Sequence, residues 1–114
     1  MNDLQFTLRE VGATVILALL GEIEIYNTGA VKGEVKRLIE NKKVRLVINM
    51  EGVPFIDSTG IGMLLLFQRN LRAAGGALKL TKITPAVEKV FRLTKLMPIL
   101  EIFDSEEAAM ASFR

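Results

Sequence analysis

The sequence predicts an α/β domain, a mixed sheet of about five strands with about four helices packed on it in the order ββαβαβαβα. Three observations lead there. Segments dense in aliphatic and β-branched residues, such as Val15 to Leu20 and Val44 to Met50, alternate with segments whose apolar residues recur at helical spacing. Glycine and proline fall between them, at Gly12, Gly21, Gly52, Pro54, Gly75-Gly76 and Pro98. Strands separated by helices require crossover connections, which pair strands in parallel and lay helices against the sheet. At 114 residues the chain is long enough for one packed core and too short for two, so residues 1–114 read as a single domain.

Each element follows in order. Leu4 to Leu8 alternates apolar and polar residues, as a half-buried edge strand does. A turn at Val11-Gly12-Ala13 pairs it with Thr14 to Leu20, whose nearly continuous apolar run suits a strand buried on both faces. From about Thr28 to Asn41, Val31, Val35, Leu38 and Ile39 fall on one helical stripe, with Lys32, Glu34, Lys36 and Arg37 on the wet face. Val44 to Met50 reads as a central strand. The next helix starts at Ser58 or Thr59 and runs to about Ala74, with Ile61, Leu64, Leu65, Gln68 and Leu71 inward and Gly75-Gly76 as its stop. Ala77 to Thr81 is a short strand. Thr84-Pro85 opens a helix with the stripe Val87, Val90 and Phe91, and Pro98 ends that region. Leu100 to Phe103 is the last strand; Ser105 with Glu106-Glu107 caps a terminal helix whose apolar residues are Ala109, Met110 and Phe113.

Composition narrows the function. Half the residues are hydrophobic and 25% are charged, the balance of an ordinary globular chain rather than a disordered or coiled-coil one. The absence of both Cys and His removes thiolate and imidazole nucleophiles, Ser-His-Asp triads and Cys/His zinc sites. A net charge of +2, with no basic run longer than Lys42-Lys43, argues against a nucleic-acid partner. Met1 to Glu10 carries Asp3 before any basic residue and alternates, unlike a signal peptide. The longest apolar runs, Val15 to Leu20 and Met63 to Phe67, fall far short of the roughly 20 residues that cross a bilayer. The expectation is a cytoplasmic protein without membrane insertion. The scattered Met1, Met50, Met63, Met97 and Met110 read as core packing.

In α/β sheets, sites lie outside the carboxyl ends of the strands, which directs attention to the loop Glu51 to Ser58 after the central strand. The segment Phe55-Ile56-Asp57-Ser58-Thr59-Gly60-Ile61-Gly62 places two hydroxyls at a helix start. The first-turn N–H groups there lack intrahelical partners and the helix dipole is positive, so a phosphate on Ser58 is favourably placed. Gly60 and Gly62, without side chains, open that turn to another protein's backbone or its bound nucleotide. The plainer reading is that Asp57 or Ser58 is only a helix cap, worth about 1 kcal/mol. An aspartic-protease half-site is excluded, because Thr59 intervenes before Gly60 and a single segment cannot supply two coupled carboxylates.

Glu22 and Glu24 fall on one face if the second strand continues through Gly21-Glu22-Ile23-Glu24. They form either an acid-base or cation site or, more plainly, an acidic edge that faces solvent or a partner. Asn49, polar within an apolar strand, either holds the Ser58 loop by a side-chain hydrogen bond or is exposed at the strand end.

Together, Gly21-Glu22-Ile23-Glu24, Val47-Ile48-Asn49-Met50, Phe55 to Gly62, Gly75-Gly76 and Ile83-Thr84-Pro85-Ala86-Val87 resemble the STAS domain, more narrowly the bacterial anti-sigma factor antagonists of the sporulation type. The likeness runs from about residue 5 to 113 and departs at Glu24, where many members carry Asp, and at Thr59, where some carry Ser. The resemblance implies a single STAS-like domain with its helices mainly on one face of the sheet. It implies that unphosphorylated protein binds an anti-sigma factor serine kinase and releases the sigma factor, that Ser58 is the phosphorylated residue, and that a serine phosphatase reverses the switch. Partner binding would fall to Glu22, Glu24, Asn49, Asp57, Thr59, Gly60, Ile61 and Gly62, with no catalytic, cofactor or metal residue in this chain. The second reading that the resemblance allows is a STAS-like adaptor or ligand-binding module of a transport or stress-signalling system, without phosphorylation.

Overall fold

A computed structural model describes residues 3–113; Met1, expected in the core, lies outside them. Nine elements follow the expected order: β1 (Gln5–Val11), β2 (Thr14–Leu20), α1 (Gly29–Glu40), β3 (Arg45–Gly52), α2 (Ser58–Ala73), β4 (Ala77–Thr81), α3 (Pro85–Leu93), β5 (Ile102–Phe103) and α4 (Glu106–Ala111). The strands lie in the spatial order β1-β2-β3-β4-β5. β1 pairs antiparallel with β2 across the turn at Gly12, whose φ of 60° suits glycine, and the remaining neighbours are parallel.

Side-chain alternation on the central strands divides the interior. Leu46, Ile48 and Met50 of β3, with Val15, Leu17 and Leu19 of β2, point into the main core shared with α1, α2 and α3. Ile16 and Val47 point the other way, against Ala109, Phe103, Met110 and Phe113. Three helices therefore cover one face and α4 alone covers part of the other. At six residues, α4 shields Ile16 and Val47 but leaves Leu20, at the carboxyl end of β2, 59% exposed.

Several boundaries differ from the sequence expectation. β1 extends to Val11, and Leu4 is buried just ahead of it, its N–H donating to the Asn27 carbonyl at 2.9 Å. β5 is only two residues long, because Leu100 turns back and its N–H bonds the Leu96 carbonyl at 3.0 Å. On α2 the fully buried stripe is Gly60, Met63, Leu64, Phe67, Gln68 and Leu71, while Ile61 and Leu65 are half-buried against the same core. Gly60, pressed against Ile23 and Ile56, sets the phase of that stripe. Buried Gln68 is satisfied by donating to the Ile99 carbonyl at 2.9 Å. The helix stop is steric as well as conformational: Gly75 has φ 90°, and a Cβ on Gly76 would sit 1.9 Å from the Val44 carbonyl oxygen.

Candidate functional site

Two loops leave the carboxyl ends of β2 and β3 and are joined backbone to backbone. Gly21, at φ 115°, breaks β2, so the condition that the strand continues is not met, and Glu22 and Glu24 lie in the loop on either side of bridged Ile23, just ahead of the turn at Ile25-Tyr26. The Gly21 N–H donates to the Gly52 carbonyl at 2.9 Å and the Ile23 N–H to Phe55 at 3.0 Å, and the Asp57 N–H donates back to Ile23 at 3.1 Å. Ile23 and Ile56, both buried, form the bridge between the loops. The side chain of Asn27 closes the acidic turn, its Oδ1 accepting the Glu24 N–H at 3.0 Å and its Nδ2 donating to the Glu22 carbonyl at 2.7 Å. From β3, the second loop is anchored through Thr84, whose hydroxyl donates to the Val53 carbonyl at 3.0 Å and which caps α3.

Asp57 is the cap of α2. Its Oδ1 accepts the Gly60 N–H at 2.9 Å and its carbonyl accepts Ile61 at 3.0 Å. The cap reading therefore holds for Asp57, and Ser58 is freed to stand exposed as the first residue of the helix. Ser58 thus occupies the positive end of a 16-residue helix dipole, next to a carboxylate and to the turn bearing half-buried Glu24 and exposed Glu22.

The two glycines separate. Gly62 is exposed, and nothing lies within 4 Å of where its Cβ would be, as an approachable surface requires. Gly60 is buried, and a Cβ there would come within 2.6 Å of Ile23 Cγ2 and of Ile56 Cγ1. It lacks a side chain so that α2 can pack on the loop bridge, not so that a partner can reach it. Ile61 packs partly into the core, and Thr59 is half-buried beside Ser58.

Asn49 is not at this site. Neighbouring Ile48 and Met50 face the helix-covered side, so pleating sends Asn49 to the opposite face, where its Nδ2 donates to Glu106 Oε2 at 2.8 Å and its Oδ1 accepts the Glu51 N–H at 2.9 Å. Glu106 also accepts from Arg9 Nη2 at 2.6 Å. These bonds, Asn49's first and Arg9's next, hold the Glu106 carboxyl below the usual glutamate range.

The two joined loops carry three exposed apolar side chains whose exposure the sequence did not single out: Phe55 on one loop, Ile25 and Tyr26 on the other, at 46%, 57% and 70% exposure. Their signal was available in principle, since large apolar residues placed in loops outside any helical or strand period have no core position to fill. An acidic, partly apolar surface centred on one hydroxyl can dock a protein and, on gaining a phosphate, repel it.

The sequence matches the STAS domain family model over residues 5–109. An anti-sigma F factor antagonist from Lysinibacillus sphaericus is 31% identical over 96 residues, covering 83% of this chain and 82% of that protein. The anti-sigma-B factor antagonist of Bacillus subtilis is 27% identical over 92 residues, 81% of this chain and 84% of its own. Among solved structures, the anti-sigma factor antagonist SpoIIAA in its unphosphorylated form aligns with TM-score 0.72 at 26% identity over 94% of each chain. Its phosphorylated form, described as a Bacillus cell fate determinant, aligns with TM-score 0.72 at 28% identity over 94% of this chain and 97% of that one.

Proposed function

This chain belongs to the STAS-domain family of anti-sigma factor antagonists, and from that premise we propose that it is a phosphorylation-controlled partner switch acting in the cytoplasm. Unphosphorylated, it binds a cognate anti-sigma factor that is also a serine kinase, and the bound sigma factor is released. The kinase transfers phosphate to the Ser58 hydroxyl, the complex separates, and a serine phosphatase restores the first state. The chain acts as substrate and ligand rather than as an enzyme; ATP and magnesium come with the kinase.

The observation that carries this reading is the exposed Ser58 at the head of α2, with Asp57 capping the helix and the Glu22–Glu24 turn fastened alongside. A phosphoryl group adds a charge of about −1.5 to −2 at that point. The helix terminus tolerates the phosphate within this chain, so the fold is kept. Asp57 and Glu24 already make the surface acidic, so the added charge disfavours docking on a kinase that still holds its negatively charged nucleotide. A penalty of about 3 kcal/mol lowers affinity more than a hundredfold. The fold similarity to both phosphorylation forms of SpoIIAA supports a switch made by charge without refolding.

The deciding experiment is intact-mass spectrometry after incubation with ATP, magnesium and the anti-sigma factor encoded nearest to the gene. A single phosphoryl adduct mapped to Ser58, with loss of the complex on gel filtration, is the expected result. An unmodified chain, with that kinase active on another substrate, would turn the assignment to a STAS adaptor that works without phosphorylation.

A further inference from the structure

α1 and α2 each return between parallel strands, so they run in the same direction with their amino ends at the Ser58 end of the sheet. A groove of about 380 Å³ lies between them. Buried Val35 and Phe67 contribute to it, and Ile39 and Leu66, the latter 42% exposed, make its rim apolar. Lys32 and Lys36 stand one turn apart on the α1 side, both exposed, and neither is ion-paired among the described residues. Glu34 is engaged with Arg37 on the same helix, and Glu40 is the one carboxylate that lines the groove. Arg69, next to the lining residue Asn70 on α2, is exposed and likewise unpaired.

The groove is continuous with the surface around Ser58. Residues 58, 62 and 66 succeed one another by a turn each, and all three are exposed. Gly62 on α2 and Gly33 on α1 have nothing within 4 Å of a Cβ position, so backbone can approach both helices closely. An apolar trough lined by two unpaired lysines, with Arg69 next to its lining residue Asn70, complements a helix that carries apolar anchors at i and i+3 or i+4 and carboxylates beside them. The charge here is opposite in sign to that of the Ser58 surface, so the two contacts are electrostatically distinct.

We propose that the α1–α2 groove is a second docking surface of the partner switch and receives an acidic amphipathic helix of the same anti-sigma factor, an inference that rests on the function proposed above. Such a contact lies away from Ser58 and its charge does not change on phosphorylation. It would tether kinase to substrate while the Ser58 contact supplies the switch.

The chain has no cysteine, so Gly33→Cys provides a single attachment point for an environment-sensitive fluorophore beside the groove. The labelled protein is titrated with the neighbouring anti-sigma factor at several salt concentrations, alone and with Lys32→Glu/Lys36→Glu or Leu66→Ser; all three positions are exposed, and circular dichroism verifies the fold. The expected result is a blue shift on binding, with affinity reduced about tenfold or more in each variant and a flatter salt dependence in the charge reversal. Equal affinity and salt dependence in wild type and charge reversal would overturn the groove proposal and leave the Ser58 switch standing. Failure of the wild type itself to bind an active kinase would remove both. A probe that responds to oleate or to vesicles containing anionic lipid, but not to the anti-sigma factor, would overturn it in favour of a lipid ligand.

Discussion

The backbone of Ile23 is hydrogen-bonded on both sides to the loop that ends at Asp57, donating to Phe55 at 3.0 Å and accepting from Asp57 at 3.1 Å. The acidic turn and the head of α2 are consequently one rigid unit. The side chains of Ile23 and Ile56 fill the space that the missing Cβ of Gly60 leaves open, so the spacing of Glu24 from Ser58 is fixed by core packing rather than by the site itself.

Substitution of Ser58 tests the charge lever directly. Ser58 is exposed, so Ser58→Ala and Ser58→Asp should both leave the melting temperature within about 2 °C of wild type. Against the kinase with bound nucleotide, Ser58→Ala should bind as the wild type does and persist on gel filtration, whereas Ser58→Asp should bind more weakly, in the direction of the roughly hundredfold loss expected of full phosphorylation. Equal affinities measured by calorimetry would sink the charge-based switch.

Gly60 and Gly62 should respond oppositely to alanine. Gly60→Ala inserts a methyl within 2.6 Å of two isoleucine side chains and should destabilise by about 1–3 kcal/mol, read from urea unfolding. Gly62→Ala adds its methyl in open space within a helix and should stabilise by about 0.5–1 kcal/mol. Gly62→Leu should keep the fold and weaken partner binding; undiminished binding would place the interface elsewhere.

How much of this was legible in the sequence follows from which signals are local. β2 and β4 were readable to the residue because hydrophobic runs and glycine punctuation coincide there, and the cap of α4 followed from Ser105, whereas that of α2 stayed open between Asp57 and Ser58 and falls to Asp57. The stripe of α2 was read slightly out of phase, because a buried glycine carries no hydrophobic signal of its own and Gly60 passed for an exposed one. Asn49 was misplaced for a related reason. Pleating alone shows that Asn49 opposes Ile48, but only the position of α4 shows that a partner, Glu106, waits on that side. The joining of the Glu24 turn to the Ser58 loop depends on an isolated bridge between residues 33 positions apart, for which no local pattern exists.

Glu106 should give the protein a specific acid sensitivity. Its folded-state carboxyl is held below the ordinary value by hydrogen bonds from Asn49 and then Arg9, so its charged form is the one the fold favours. That contribution is fully present above the unfolded-state value and is lost as pH falls through the lowered folded value. Glu106→Gln should therefore lower stability at neutral pH, and the gap to wild type should close as pH falls through and below the ordinary glutamate range. Urea denaturation across that range decides it; a gap that stays constant would show the bonds to be indifferent to charge.

Asp57 combines a cap with a charge, and two substitutions separate them. Asp57→Ala removes the acceptor from the Gly60 N–H at 2.9 Å and should cost about 1 kcal/mol, roughly 4 °C in melting temperature. Asp57→Asn keeps an acceptor oxygen in the same place and should change stability by only a few tenths of a kcal/mol. It also deletes the negative charge nearest in sequence to Ser58. If like-charge accumulation drives release, the affinity lost on introducing Ser58→Asp should be smaller in the Asp57→Asn background than in the wild type. A double-mutant cycle on binding to the kinase measures that difference, and strict additivity of the two substitutions would assign Asp57 to the helix alone.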